Sequence, residues 1–278
     1  RYVTNLMNFF ASLLLFGYFV SGSRLLALSS NNEHSRKIRG VMVIILTITI
    51  GILSLCMLGG AVVHKLWLNP DVSTLFVIAI PVCGAVLMLN YINTVFQGDN
   101  SIYKLSIARV VPALLYLIVA WAILSKENAT PANVLLLYNG CAIAILLPLI
   151  ILTRPLFSDI GNAYKELKKE NREYGFNVYI GSIAAVSLSY LAGITLGLFN
   201  NNNVDVGYYT LALTIATPLA ILPTVIGTTY FKKFANQDFI DRKVLIVTIG
   251  LSLVCLLIYD LFISYVVDVL YDDSYASV

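Results

Sequence analysis

Three polar amides lie at helical spacing within one apolar stretch of the sequence. Asn90, Asn93 and Gln97 are three and four residues apart, so a helix would place them on one face. An amide inside a bilayer needs a hydrogen-bond partner, because lipid tails offer none. We therefore expect this face to point into a helical bundle or a water-filled cavity. Hydrogen bonding between helices and contact with a polar substrate would both satisfy that requirement.

Three charged residues lie toward the ends of apolar stretches rather than in their middles. Arg24 and Arg109 stand about one helical turn inside the membrane boundary where basic residues gather, and Asp260 stands in the outer third of the last stretch. Long cationic side chains at such depths snorkel to phosphate headgroups. The functional alternative is that the two arginines form a cationic mouth for a phosphate-bearing substrate. Asp260 is either a carboxylate at the membrane interface or a residue that titrates during transport.

The residue types that enzymes use are sparse. The sequence holds two histidines, His34 and His64, and no HExxH, nucleophile-elbow or phosphate-binding glycine motif. The cysteines stand singly in different apolar stretches, without metal-ligand spacing. They are Cys56, Cys83, Cys141 and Cys255. We expect packing thiols, no metal, no cofactor and no catalytic site, with a membrane-embedded enzyme as the alternative.

The composition indicates a membrane protein. Of the 278 residues, 59% are hydrophobic and 12% are charged, whereas soluble domains carry about 25% charged residues. A helix that spans a bilayer needs about 20 apolar residues. The sequence has eight such runs, at residues 4–27, 41–63, 74–96, 105–124, 133–152, 177–199, 207–230 and 244–266. It therefore predicts an all-α, polytopic membrane protein with eight transmembrane helices.

The placement of Lys and Arg predicts the orientation of these helices. Alternate connections, beginning with the one after the first run, carry 15 of the 18 Lys and Arg residues, and the opposite side carries only Arg1, Lys65 and Lys126. Positive charge concentrates in cytoplasmic loops. A missed or extra helix would break this alternation, so the distribution supports both the eight spans and a cytoplasmic position for the basic side.

The longest connection, residues 153–176, predicts an element of its own. Apolar residues recur there at helical spacing, at Ile160, Ala163, Tyr164, Leu167 and Tyr174. Lys and Glu occupy most of the positions between them, which is typical of a short amphipathic helix at a membrane interface. We expect a cytoplasmic linker here. It would separate residues 1–152, with five spans of one bundle, from residues 177–278, with three spans of a second.

The sixth run carries a small residue at every fourth position. The stripe consists of Gly181, Ala185, Ser189, Gly193 and Gly197. Small residues let two helices approach closely in a membrane. We expect a packing surface, along which two helices could also slide or rock.

Several segments of the chain match a known pattern. They are SGSR at 21–24, VFQG at 95–98, YIGSIAAVSLSYLAGITLGLF at 179–199, VGYYTLA at 206–212, Leu222-Pro223 and LYDDSYA at 270–276. Together they resemble the polysaccharide-repeat-unit flippases of the O-antigen type, in the multidrug/oligosaccharidyl-lipid/polysaccharide exporter superfamily. The resemblance implies twelve or more helices in two six-helix bundles, of which this chain would hold the second to the ninth. We therefore expect it to be a fragment of a longer protein.

The resemblance also implies a function. Such a flippase would carry a polyprenyl-diphosphate-linked oligosaccharide across the bacterial cytoplasmic (inner) membrane, for the biosynthesis of lipopolysaccharide O-antigen, capsule or exopolysaccharide. Arg24 and Arg109 would attract the diphosphate, and the face of Asn90, Asn93 and Gln97 would contact sugars. The implied partners are this lipid-linked oligosaccharide, membrane lipids, and polymerase and chain-length proteins of the same pathway, with no nucleic acid.

Two other functions stay open. A multidrug or cation exporter of the same superfamily usually carries acidic residues deep in a bundle, and the middles of these apolar runs have none. A membrane polymerase or glycosyltransferase of the same pathway would need a larger domain with clustered His, Arg or Asp.

Overall fold

The computed structural model describes residues 2–124, 129–199, 203–237 and 239–270. All regular elements in these ranges are helical, which agrees with the predicted all-α class. The contacts divide the chain into two compact units, Arg1–Leu191 and Ala192–Val278. The candidate site lies mainly in the first unit.

Helices follow one another with short connections. They are α1 (Tyr2–Leu13), α2 (Tyr18–Leu28), α3 (Asn32–Trp67), α4 (Pro70–Ala79), α5 (Gly84–Gly98), α6 (Ile102–Ile123), α7 (Pro131–Leu152), α8 (Ile160–Glu170), α9 (Phe176–Phe199), α10 (Asn203–Ala235) and α11 (Arg242–Leu270). A 3₁₀ turn at Ile80–Val82 joins α4 to α5, and a π-helical turn at Asn171–Gly175 joins α8 to α9. Pro81 lies in the 3₁₀ turn, where its missing N–H interrupts the helical ladder.

Within the described ranges, five helical segments are long and apolar enough to cross a membrane. They are Asn32–Trp67, Pro70–Gly98, Ile102–Ile123, Pro131–Leu152 and Arg242–Ile263. The bent pair α1–α2 makes a sixth if it counts as one span. The predicted runs 177–199 and 207–230 coincide with α9 and α10, but their membrane crossing stays a prediction. The chain is therefore a multi-pass helical membrane protein for which eight spans are not established.

The first predicted span is broken rather than continuous. Helices α1 and α2 meet at a bend of 58°. At the break, Phe16 has φ 44° and Gly17 has φ 77°. This left-handed conformation cannot continue a right-handed helix, and glycine adopts it without a steric penalty. The bend is one feature that the length of an apolar run could not predict.

Sequence signals for helix starts are visible at three N-termini. The Asn31 side chain accepts hydrogen bonds from the backbone N–H groups at the start of α3, and Asn69 does the same for α4. Thr130 caps α7 by accepting from the N–H of Asn133. These side chains satisfy N–H groups that have no partner within the helix.

The interior of the first unit is formed by large apolar side chains from several helices. Fully buried examples are Met7, Ile38, Met42, Leu53, Met57, Phe76, Leu87 and Tyr91. Other apolar side chains point outward, such as Trp121, which is 89% exposed. Lipid tails are as apolar as these side chains, so close packing, more than exclusion from water, holds such a core together. The outward apolar surface is what a lipid-facing helix requires.

The predicted amphipathic helix is present as α8, and its apolar side packs on the bundle. Ala163 and Leu167 are buried, and the ring of Tyr164 stacks on that of Tyr18 in α2, with centroids 6.5 Å apart. His34 at the start of α3 lies 3.2 Å from Glu166. Helix α8 is thus a docked element of the first unit.

In the second unit, α10 and α11 pack against each other. Lys233 near the end of α10 lies 3.8 Å from Asp241, just before α11. This contact joins the two helices beside their basic connection.

Candidate functional site

The structure brings a predicted arginine and a predicted amide together. The Nε of Arg109 in α6 donates a hydrogen bond of 3.0 Å to Oδ1 of Asn93 in α5. Leu105 and Ala108 of α6 are buried, which fixes one side of that helix and leaves Arg109 exposed beside it. Among the described residues this bond engages only Nε, so the two terminal nitrogens of the guanidinium keep their donors. The pair combines an oriented cation with a polar helix face.

The other two amides lie on the same helix, α5, which spans all three positions. Asn90 and Gln97 are partly exposed, like Asn93. In the part of the chain that the structure describes, neither side chain makes a hydrogen bond, so each retains donors and an acceptor. Their contact with a substrate stays a prediction.

Arg24 has a different environment from Arg109. Its guanidinium forms an ion pair with Glu170 at the end of α8, and it lies over the ring of Tyr174, 4.8 Å from the centroid. The side chain of Glu170 is only 13% exposed. Arg24 therefore joins α2 to the linker, and much of its charge is offset. No contact among the described residues links it to the amides of α5.

Neighbouring contacts reinforce this junction. Asn171 donates from Nδ2 to the carbonyl of Phe16 at 3.0 Å, and its Oδ1 accepts from the hydroxyl of Ser21 at 3.1 Å. The hydroxyl of Tyr179 donates to the carbonyl of Leu13 at 2.5 Å. These bonds satisfy carbonyl groups that the bend between α1 and α2 leaves without helical partners. The junction thus stabilises the broken span.

The remaining predicted positions make few contacts among the described residues. Asp260 is exposed on α11 and forms no ion pair within the described ranges. Gly181 has open space around its Cα, with no atom within 4 Å of an added Cβ. The side chains of Ala185, Ser189, Gly193 and Gly197 lie outside the described residues. The packing role of that stripe stays a prediction.

A basic pocket lies at the end of the first unit where α3 begins and α7 ends. Its volume is about 500 Å³. The lining residues are Asn32, Arg36, Arg39, Phe96, Asp99, Ser101, Lys104, Leu152, Thr153 and Arg154. Four of these side chains are cationic and one is a carboxylate. We refer to this cavity as the basic pocket.

Arg39 is the most constrained cation of the basic pocket. Its Nη2 lies 2.7 Å from Oδ1 of Asp99, and its Nη1 donates to the carbonyl of Thr153 at 3.0 Å. The hydroxyl of Tyr91 contacts that of Thr153 at 3.2 Å. The Arg39 side chain is 13% exposed, and its buried Nε has no hydrogen-bond partner in the described structure. The arrangement holds one charge at a fixed position and leaves a donor unsatisfied.

One lining residue of the basic pocket and one residue between lining residues have an uncommon backbone conformation. Arg154 has φ 51°, and Asn100, between two lining residues, has φ 55°. A left-handed residue other than glycine costs about 1–2 kcal/mol, although asparagine tolerates it better. Such strain concentrates at functional sites. Sequence reasoning placed these cations in separate cytoplasmic loops and missed their convergence, because only the fold brings them together.

The fold and these polar groups define a multi-pass helical membrane protein with cations at one end of its first compact unit. Residues 1–231 match the family model of polysaccharide biosynthesis proteins, so the chain belongs to that family. The match confirms the family resemblance drawn from the sequence. No curated protein and no solved structure gives a significant match.

Proposed function

We propose that the protein is a flippase for a lipid-linked oligosaccharide. Its substrate is a polyprenyl-diphosphate carrying one repeat unit of a surface polysaccharide, such as O-antigen, capsule or exopolysaccharide. It moves this unit across the bacterial cytoplasmic membrane. Membership of the polysaccharide biosynthesis family and the multi-pass helical architecture support this proposal.

The observation that carries the proposal is the bond between Arg109 and Asn93. It leaves the two terminal nitrogens of the guanidinium for a phosphate group, which arginine can bind with two parallel hydrogen bonds. The amides of α5 offer both donors and acceptors, as sugar hydroxyls require. A guanidinium beside amides therefore suits a diphosphate that is attached to a sugar.

The two predicted arginines take different roles in this account. Arg109 is the cation that contacts the diphosphate, whereas Arg24 contributes less because Glu170 offsets its charge. The hydrocarbon tail of the carrier stays in the bilayer, beside the apolar outer surface of the helices. Only the polar head then has to cross the membrane along polar side chains.

A gene deletion tests the function in the host. We expect complete repeat units to accumulate on the lipid carrier while surface polymer disappears, with recovery when the wild-type gene is returned. The Arg109→Ala gene should restore less polymer than the wild-type gene. Unchanged surface polymer together with a new sensitivity to toxic cations would contradict the flippase and favour an exporter of the same superfamily.

A further inference from the structure

We propose that the basic pocket is a binding site for a phosphate group. The lining of this cavity of about 500 Å³ is mostly positive. It contains four cations, Arg36, Arg39, Lys104 and Arg154, and one carboxylate, Asp99. Four positive charges against one negative charge leave a net charge of +3. This inference does not depend on the flippase activity, because none of the residues assigned to the substrate path lines the basic pocket.

Most cations of the basic pocket have no carboxylate partner among the described residues. Asp99 pairs with Arg39, whereas Arg36, Lys104 and Arg154 form no ion pair among the residues that the structure describes. Arg36 donates only its Nε, to the carbonyl of Arg154 at 2.9 Å. Its terminal nitrogens are therefore free to bind an anion. Like charges that line one cavity repel one another, and a bound anion would reduce that repulsion.

The donors of the basic pocket are also held in place by the fold. The backbone N–H of Leu156 donates to the carbonyl of Arg36 at 2.9 Å, so α3 and the segment after α7 are joined beside the cavity. The Nζ of Lys104 lies 5.9 Å from the ring centroid of Phe96. Together with the ion pair of Arg39, these contacts bring together the three segments that carry the four cations. Several cations that line one cavity favour a compact, multiply charged anion.

Helix ends add to the positive potential of the basic pocket. The N-terminus of a helix carries partial positive charge and N–H groups that bind phosphate. Ser101 precedes α6 without making a side-chain cap, so the first N–H groups of α6 remain uncapped. At the start of α3, Asn31 already caps the N–H groups, so that end contributes only its partial charge. The ordinary preference for cations on the cytoplasmic side explains their presence in these loops. It does not explain why four of them line a single cavity.

The phosphate could belong to a soluble anion or to a lipid headgroup, and two measurements separate these sources. Pyrophosphate is titrated into the purified protein in a neutral detergent, and binding is followed by calorimetry. In parallel, the protein is placed in nanodiscs with phosphatidic acid or with phosphatidylcholine alone, and retained lipids are counted by native mass spectrometry. The pocket variant is Arg36→Gln/Lys104→Gln. The matched control, Lys168→Gln/Lys169→Gln, removes two exposed cations of α8 that do not line the basic pocket.

We expect the pocket variant to weaken binding of pyrophosphate, phosphatidic acid or both by about tenfold or more, with the control within about twofold of the wild type. Loss in one measurement alone identifies that source. The proposal is overturned if wild-type protein binds neither ligand, or if the pocket variant and the control lose binding equally. Thermal unfolding checks that the variants fold. Should the double variant not fold, Lys104→Met, which keeps an unbranched side chain beside Phe96, takes its place with the same criteria.

Discussion

The guanidinium of Arg24 and the carboxylate of Glu170 form an ion pair across 146 positions of sequence. The pair joins α2, the second half of the bent first span, to the end of the amphipathic helix α8. The ring of Tyr174 lies against the same guanidinium. The linker is therefore attached to the bend by charge, by aromatic contact and by the hydrogen bonds of Asn171. We expect the stability of this junction to depend on each of these contacts.

A double-mutant cycle measures the ion pair. Glu170→Gln should lower the free energy of unfolding by about 1–2 kcal/mol, because it leaves the guanidinium without its carboxylate. Arg24→Gln should cost a similar amount, and the double variant should cost less than the sum of the two. Thermal unfolding in detergent gives the coupling energy, which we expect to be about 1 kcal/mol. Strictly additive losses would show that the pair contributes nothing.

Gly175 is the second test of the junction, because its Cα approaches the bend closely. A Cβ on this residue would lie 2.6 Å from the carbonyl oxygen of Gly17 and 2.7 Å from Oδ1 of Asn171. Gly175→Ala should therefore destabilise the protein by about 1–3 kcal/mol, since backbone atoms would have to shift. Gly161→Ala in α8 is the matched control, because an added Cβ there would have no atom within 4 Å. Equal unfolding temperatures for the two variants would contradict the packing at Gly175.

The ion pair of Arg39 and Asp99 should matter more than an exposed pair of similar length. Their side chains are 13% and 20% exposed, at 2.7 Å. Asp99→Asn should cost about 2 kcal/mol, because a mostly buried guanidinium loses its counter-charge. Glu33→Gln breaks the exposed pair with Lys37 at 3.0 Å and should leave stability unchanged within error. If both variants lose a similar free energy of unfolding, burial does not determine how much an ion pair contributes to stability.

The bond between Arg109 and Asn93 should affect transport rather than stability. Arg109→Ala removes the proposed phosphate contact, and we expect export of surface polymer to fall about tenfold or more. Arg109→Lys keeps the charge but not the paired donors, so it should restore only part of the activity. Lys168→Ala, another exposed cation of the basic side, serves as the control. If the Arg109→Ala variant exports polymer at the wild-type level with equal protein levels, Arg109 does not contact the substrate.

The lengths of apolar runs and the spacing of apolar residues were sufficient for part of this fold. The runs at 41–63, 74–96 and 133–152 each lie within a helical segment that is long enough to span a membrane, and the run at 105–124 extends one residue beyond such a segment. The amphipathic pattern likewise predicted α8, with Leu167 on the buried side. Both successes rest on local physics, because a helix with one apolar face has a defined spacing. The same reasoning could not give the bend at Gly17, which depends on a single backbone conformation.

The polar sites were less predictable because they depend on contacts between distant segments. Spacing alone placed Asn93 on a polar helix face and Arg109 near a membrane boundary, but only the packing of α6 on α5 joins them. Glu170 was one of several acidic residues of the linker, and nothing in its neighbours marks it as the partner of Arg24. The cations of the basic pocket come from α3, α6 and the segment after α7. Their convergence is a property of the tertiary fold.

The most direct test of the central claim is the leaflet position of the lipid-linked oligosaccharide. Cells that lack the gene are complemented with the wild-type or the Arg109→Ala gene, and polymerisation is blocked in both. The carrier-linked glycan exposed on the outer leaflet is then labelled on spheroplasts and compared with the total. The account predicts a labelled fraction that is high with the wild type and near the level of uncomplemented cells with Arg109→Ala. An equally high labelled fraction in cells without the gene would contradict it, because the glycan would then cross the membrane without this protein.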